Sequence, residues 1–331
     1  MNASFRQAGL TMVEILVALA LGLFLMAGIL SVYLGSKQTY RVVEALARSQ
    51  ENGRYAVELL GRTVRMAGFV GCARLDNSLP VNIIVDKPPL GIEPEDFHKS
   101  FIQIDVDEDV ADLMASGTDV LVVRGGGPMA RLDAEKVKNA NAKIDLNADD
   151  WEAGDILIIS DCAGVDIFRA TNVSKDPNEM GITVAHASNR NEPNELSKTY
   201  TIGADVMSYR ETTFFIAESQ AADCTEPCRG LWRRLGGEDP QEILQGVENM
   251  QILFGIGTRA LDNYMTAEEV EDADAWGRVV AVRINLLLVS PEDNLVESPR
   301  SIVFNGEELE PDDRRLRRAL TTTIAIRNRL P

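Results

Sequence analysis

Arg6-Gln-Ala-Gly9-Leu10-Thr-Met-Val-Glu14 runs directly into Ile15-Leu-Val-Ala-Leu-Ala-Leu-Gly22, the start of an apolar segment that continues to Leu34. No Asp, Glu, Lys, Arg or Pro occurs between Ile15 and Leu34. As a helix that segment spans ~30 Å, about one bilayer hydrocarbon core. Arg6 stands before it, and Lys37 and Arg41 follow it. Glu14 is the exception, an ionisable group at the edge of an apolar run, where it is expensive unless partnered.

Three readings compete for this stretch. A secretory signal places its small-residue cleavage site after the apolar run, whereas Gly9 precedes it. A plain single-span anchor explains the length but leaves Gly9 and Glu14 without a role. The third reading fits all of it, because the stretch resembles the type IV prepilin signal. Gly9 matches the last leader residue, Leu10 the first mature residue and Glu14 the fifth mature residue. Leu10 departs from the more usual Phe at its position but keeps the apolar character. The resemblance implies cleavage between Gly9 and Leu10 by a prepilin peptidase, with N-methylation of the new amine on Leu10. Glu14 would then pair with the amine of a neighbouring subunit. Burying that acid alone would cost several kcal/mol, so the pairing favours one stagger of packed helices.

The rest of the chain reads as an ordinary exported globular unit. Its 331 residues suffice for a large core, and 45% hydrophobic with 25% charged residues is globular composition. The net charge of −18 repels phosphate, so nucleic acid is not a predicted partner; Arg314, Arg315, Arg317 and Arg318 are the one candidate basic patch. The four cysteines, Cys72, Cys162, Cys224 and Cys228, predict two disulfides in an exported chain. Three connectivities are open, with Cys72–Cys162 and Cys224–Cys228 preferred. A zinc site is disfavoured because Cys224-x3-Cys228 lacks a second close pair, and His98 and His186 are the only histidines.

Helical spacing continues past Leu34, predicting one helix from Leu10 to Ala67, ~85 Å long if unbroken. Val43, Ala47, Gln50, Arg54, Val57, Gly61 and Val64 form its apolar stripe, widened by Tyr40, Leu46, Leu60 and Ala67. Residues 68–116 look irregular. Beyond them, strand patterns recur at Asp119–Arg124, Asp155–Ser160, Ile167–Asn172, Gly181–Val184, Val206–Ala217, Asn249–Ile256, Val279–Val289, Ser301–Phe304 and Leu320–Ile326. Arg283 and Asn285 suggest a solvated face on the Val279–Val289 strand. Capping patterns predict short helices after Asp239-Pro240-Gln241-Glu242 and after Thr266, with Glu269 as its partner. Gly125-Gly126-Gly127 lacks the Lys-Ser/Thr pair of a phosphate loop and reads as a turn.

The resemblance extends beyond the leader. Gly68-Phe-Val-Gly-Cys72, Asp155-Ile-Leu-Ile-Ile-Ser-Asp-Cys162, Leu231-Trp-Arg with Ile243-Leu-Gln-Gly-Val-Glu-Asn249, and Leu316 to Asn328 are similar to the PilW family of type IV pilus minor pilins. That resemblance implies an α+β, pilin-like fold. A long N-terminal helix, transmembrane in its first half, would pack on a β-rich globular head with room for two β subdomains. The layout it predicts is a leader at 1–9, a transmembrane and assembly half at 10–34, an amphipathic half at 35–67 and a head at 68–331, with a subdomain junction near 190–200. The implied partners are other minor and major pilins and the inner-membrane pilus assembly platform. The head would face the periplasm before assembly and join the pilus afterwards. A J-type pseudopilin of type II secretion and a membrane-anchored adhesion or ligand-binding module are the alternatives.

No residue set points to catalysis, a metal or a cofactor. Asp105-Val-Asp107-Glu-Asp109 fails the calcium-loop pattern at Val110 and Ser116; Asp145-Leu-Asn147-Ala-Asp149 fails it at Asp150 and Ile156. Neither histidine sits in a recognisable hydrolase arrangement.

Overall fold

The computed structural model describes residues 11–73, 79–86, 97, 99–133, 141–144, 151–175, 181–193, 195–222, 227–258 and 261–329. Helix α1 (Met12–Arg65) is continuous over 54 residues, ~81 Å at 1.5 Å per residue. It ends where Gly68 and Gly71 adopt φ of 67° and 82°, a left-handed backbone that suits residues without a Cβ. Arg62 and Arg65 in its last turn complement the helix dipole.

The head follows as β1 (Val81–Ile83), β2 (Ile102–Gln103), α2 (Glu108–Leu113), β3 (Leu121–Arg131), β4 (Asn141–Ile144), β5 (Ile156–Asp161), β6 (Gly164–Arg169), β7 (Asn172–Lys175) and β8 (Ile182–Ala185). Then come β9 (Asp205–Glu218), β10 (Arg229–Leu235), β11 (Gln241–Gln245), β12 (Val247–Gly257), β13 (Leu261–Met265), α3 (Ala267–Asp272) and β14 (Val279–Val289). The hairpin β15 (Ile302–Phe304) and β16 (Glu307–Leu309) precedes the last strand, β17 (Arg317–Ala325).

Among the described residues these strands form four sheets. The largest is built on β9, which pairs with β3 along one edge and with β5 and then β10 along the other. The second runs β13-β12-β14-β17, and the chain enters it directly after Gly246. Residues 190–200 lie between β8, in the three-stranded β4-β8-β7 sheet, and β9, in the largest one. One core cluster joins Ala56, Leu60 and Val64 of α1 to Leu121, Val123 and Phe214 of the first sheet and to Met250, Ile284 and Ile324 of the second. The sheets are also pinned where Asp119 Oδ2 accepts the Ile252 amide at 2.7 Å.

Several elements depart from the sequence expectation. The buried face of α1 is Gly53, Ala56, Leu60, Gly61 and Val64; Val43 is 58% and Tyr40 68% exposed. Leu60, Gly61 and Val64 belong to the expected stripe, whereas Gly53 and Ala56 lie outside it and are buried by contact with the head. Gly53 is the closest point, where a Cβ would come within 2.9 Å of Leu288 Cδ1. The Asp239-Pro240 pattern leads into strand β11, antiparallel to β10. Glu242 turns away from its capping position there and accepts from Ser219 Oγ and the Gln220 amide. Helix α2 falls within the stretch that looked irregular. Asn285 is buried, giving Nδ2–H to Asn305 Oδ1 and accepting from Thr321 Oγ1, and Arg283 lies 3.6 Å from the centre of the Tyr264 ring. The supposed solvated face is covered on both counts. The strands at 119–124, 155–160, 181–184, 206–217, 249–256, 279–289, 301–304 and 320–326, and the helix after Thr266, are present with shifted ends, whereas 167–172 spans the end of β6, a break at 170–171 and the start of β7.

The triple glycine is strand rather than turn, and its reason is contact with the end of α1. The Gly68 amide donates to Arg124 O at 2.8 Å and the Gly126 amide to Phe69 O at 2.6 Å. A Cβ at Gly125 would stand 2.9 Å from Met66 O, a backbone atom. Gly125→Val should therefore lower the unfolding free energy by about 1–3 kcal/mol. Denaturant titration in micelles checks this, and an unchanged midpoint would contradict the close seating of the helix end.

Candidate functional site

The apolar helix is the chain's most unusual surface. From Thr11 to Tyr40 the residues are exposed; Leu23 is 71% and Phe24 79% exposed. Among the described residues α1 is the helix long and apolar enough to cross a membrane. Each such side chain left in water forgoes ~1.5–3 kcal/mol relative to full burial. Gly22 and Gly28 face open space and leave the helix unbroken.

Glu14 sits in the first turn as part of a capping box that the sequence carries as Thr11-x-x-Glu14. Thr11 donates its amide at 2.9 Å and its hydroxyl at 3.0 Å to Glu14 Oε2, while the Glu14 amide donates to Thr11 Oγ1 at 3.3 Å. Both bonds from Thr11 use one carboxylate oxygen. Neither bond uses Oε1. Gly9 and Leu10 lie outside the described residues.

The head takes hold of α1 at Gln38, whose Nε2 donates to Asn294 O and Leu295 O at 3.1 Å. Arg41 adds an ion pair with Glu292 at 3.0 Å. Asn52 donates to Gln245 O, and Asn328 reaches back to Ala67 O. About 40 Å of helix therefore projects beyond the first head contact. None of these anchors was singled out from the sequence, because each is paired across at least 193 positions.

Cys72 and Cys162 form a disulfide across 90 positions. Cys228 is also disulfide-bonded, and Cys224 lies outside the described residues. With these thiols oxidised, the described cysteines offer no zinc thiolate. Among the described residues no group of three or more His, Cys, Asp and Glu side chains is placed to hold a metal. Asp107 caps α2 and pairs with Arg234; residues 145–149 and His98 are outside the described set. His186 is buried beside the Phe168 ring. The suggested basic patch is largely consumed: Arg315 donates to Pro227 O, and Arg317 pairs with Glu248 and Asp313.

Two of these pairs carry acid sensitivity. The Arg317 hydrogen bond holds the Asp313 carboxyl below its usual range, and Arg234 does the same for Asp107. Burial pushes Asp119 the other way. A depressed carboxyl contributes stability that is complete above its unfolded pKa of ~3.9 and is lost as pH falls through the folded value.

A bare apolar helix with one acid in its first turn, seated on a β-rich head, defines a pilin-like α+β subunit. The family model of Type IV Pilus-assembly protein W matches residues 213–328, from the middle of β9 through β17. The model of the prokaryotic N-terminal methylation motif matches residues 4–30. Together they support a pilus-related minor pilin with a prepilin-type, membrane-anchoring N-terminus. The type IV-like pilin TTHA1219 from Thermus thermophilus is similar at 14% identity, covering 54% of this chain and 86% of that one, with a TM-score of 0.23. So distant a superposition adds nothing to the fold already described. No curated protein sequence matches this one.

Two outcomes follow for the head. Cys72→Ser should cost about 2–5 kcal/mol, read from denaturation without reductant; an unchanged midpoint would mean the bridge constrains nothing. Asp313→Asn should destabilise by about 1–2 kcal/mol at pH 7 and flatten the loss of stability below pH ~4. Melting curves from pH 3 to pH 7 check both, and a parallel shift at all pH values would contradict the assignment.

Proposed function

We propose that the protein is a minor pilin that takes part in type IV pilus assembly, in an initiation or tip complex. It is made as a prepilin with residues 1–9 as leader, residues 10–34 as the membrane and assembly segment, 35–67 as the head-seated part of the helix and 68–331 as the head. Prepilin peptidase cleaves between Gly9 and Leu10 and methylates Leu10. The inner membrane holds the chain, head in the periplasm, until it meets other minor and major pilins at the assembly platform. The work is association, without a chemical step by this chain.

The observation that carries this reading is Glu14, the one acid in a fully exposed apolar stretch. Its self-made cap occupies Oε2 and leaves Oε1 for a neighbour's amine. In a low-dielectric bundle such a pair fixes the stagger between helices, since any other register strands a buried charge. The preference for a pilus over a secretion system rests on the Type IV Pilus-assembly protein W match at residues 213–328.

Glu14→Ala should leave membrane insertion and head folding unchanged and reduce incorporation into filaments at least tenfold. Immunoblotting of sheared pili against the membrane fraction measures this. Normal incorporation of the variant would remove Glu14 from assembly.

A further inference from the structure

We propose that the outer edge of β17 is a docking site for an extended strand of another protein, apolar on one face and acidic at both ends. β17 closes the second sheet and pairs with β14 alone. The Ile326 amide donates to Val280 O and the Ser290 amide to Leu316 O, on one unbroken register. Even-numbered residues of β17 therefore turn their backbone groups toward β14, and odd-numbered residues turn theirs outward. Ala319, Thr321 and Thr323 are exposed, and their outward amides and carbonyls meet no partner among the described residues.

Nothing in the strand guards this edge. Ala319-Leu-Thr-Thr-Thr-Ile-Ala325 has no charge, Pro or Gly, and its pairing with β14 carries no bulge. Natural sheets ordinarily blunt a free edge with one of these devices or with a short strand. β13, at the opposite edge of the same sheet, does so: it has five residues, contains Asp262 and meets a register shift at Ile256–Gly257. β17 has nine.

The space beside the edge selects one face of the incoming strand. Leu320 and Ile324 point to the side of the sheet that packs with α1. A hollow of about 770 Å³ lies there, lined by Ala47, Gly53 and Val57 of α1 with Leu288, Arg318 and Leu320. A strand added to β17 sets every second side chain into this hollow. Apolar ones cover Ala47, Val57 and Leu320, which are exposed or half-buried in the chain alone.

Charge selects the ends. Arg318 at the start of the free stretch and Arg327 just past its end are exposed and form no ion pair among the described residues. The acids Glu248 and Asp313 are taken by Arg317, and Glu51 by Arg54. Exposed charges beyond ~8 Å are screened, so these arginines rather than the net charge of −18 govern the contact. A second copy is the poorer occupant, because centred antiparallel pairing of two β17 edges sets Arg317 and Arg318 against Arg327. The edge belongs to the head, so binding there is separable from helix packing and from Glu14.

The test uses the full chain in detergent. Residue-resolved amide exchange of the chain alone should be fast at Ala319, Thr321 and Thr323 and slow at Leu320, Thr322 and Ile324. The probe acetyl-Glu-Val-Thr-Val-Thr-Val-Thr-Val-Glu-amide should slow the fast set at least about tenfold. By fluorescence anisotropy it should bind at least about tenfold more tightly than its Lys-ended counterpart or a form N-methylated at its Thr residues. Thr323→Pro, which removes an outward amide and leaves the β14 pairing intact, should weaken binding about as much. Ala47→Trp, which fills the hollow, should do the same. The proposal is overturned if the outward amides are already slow in the chain alone, or if the chain self-associates through them without peptide. It is overturned equally if the acidic-ended probe leaves them fast, or if the Lys-ended or N-methylated peptide binds as well.

Discussion

The arrangement depends on α1 burying one short face, from Gly53 to Val64, in a core shared by two sheets while everything from Thr11 to Tyr40 stays exposed. A helix isolated in water draws most of its stability from packing, and here only its C-terminal half is packed. The front half therefore needs an apolar medium or other apolar helices around it. Everything proposed about membrane retention and assembly follows from that imbalance.

The head is built to hold the rod firmly. Gly53 lets α1 approach Leu288 and Leu320, the triple glycine admits its C-terminal turn, and Asn328 closes over Ala67. Both sheets contribute to the seat, so a displacement of the helix would open the core of each. The disulfide from Cys72 fastens the segment just after the helix to the β5–β6 turn. A subunit pulled or pushed through its rod would pass the load directly to the head.

The leader pattern, the apolar span and most long strands were legible from residue order, because each rests on local periodicity. What was not legible depended on partners distant in sequence. The C-terminal part of the expected stripe on α1, Leu60, Gly61, Val64 and Ala67, is buried, whereas Val43 is exposed and Ala56, outside that stripe, is buried against the head. Asp239-Pro240 has the chemistry of a helix start, but pairing with β10 wins. Gly125 to Gly127 look like a turn until the end of α1 is laid across them. The arginines of β10 hide a strand because Arg234 is paired with Asp107, 127 positions away. The capping box at Thr11 is legible in Thr11-x-x-Glu14, because it too is local.

The seat and the bare rod also separate two kinds of surface. The rod is apolar and non-specific except at Glu14, so it is suited to packing among similar helices. The head meets the rod instead through specific pairs, Gln38 with Asn294 and Leu295 and Arg41 with Glu292.

The most direct measurement is the intact mass and N-terminal sequence of the native protein taken from membranes and from sheared filaments. A chain beginning at N-methylated Leu10 in both fractions is the result the proposed function predicts. A chain that retains Met1, or that is found only as a freely soluble monomer, would contradict it.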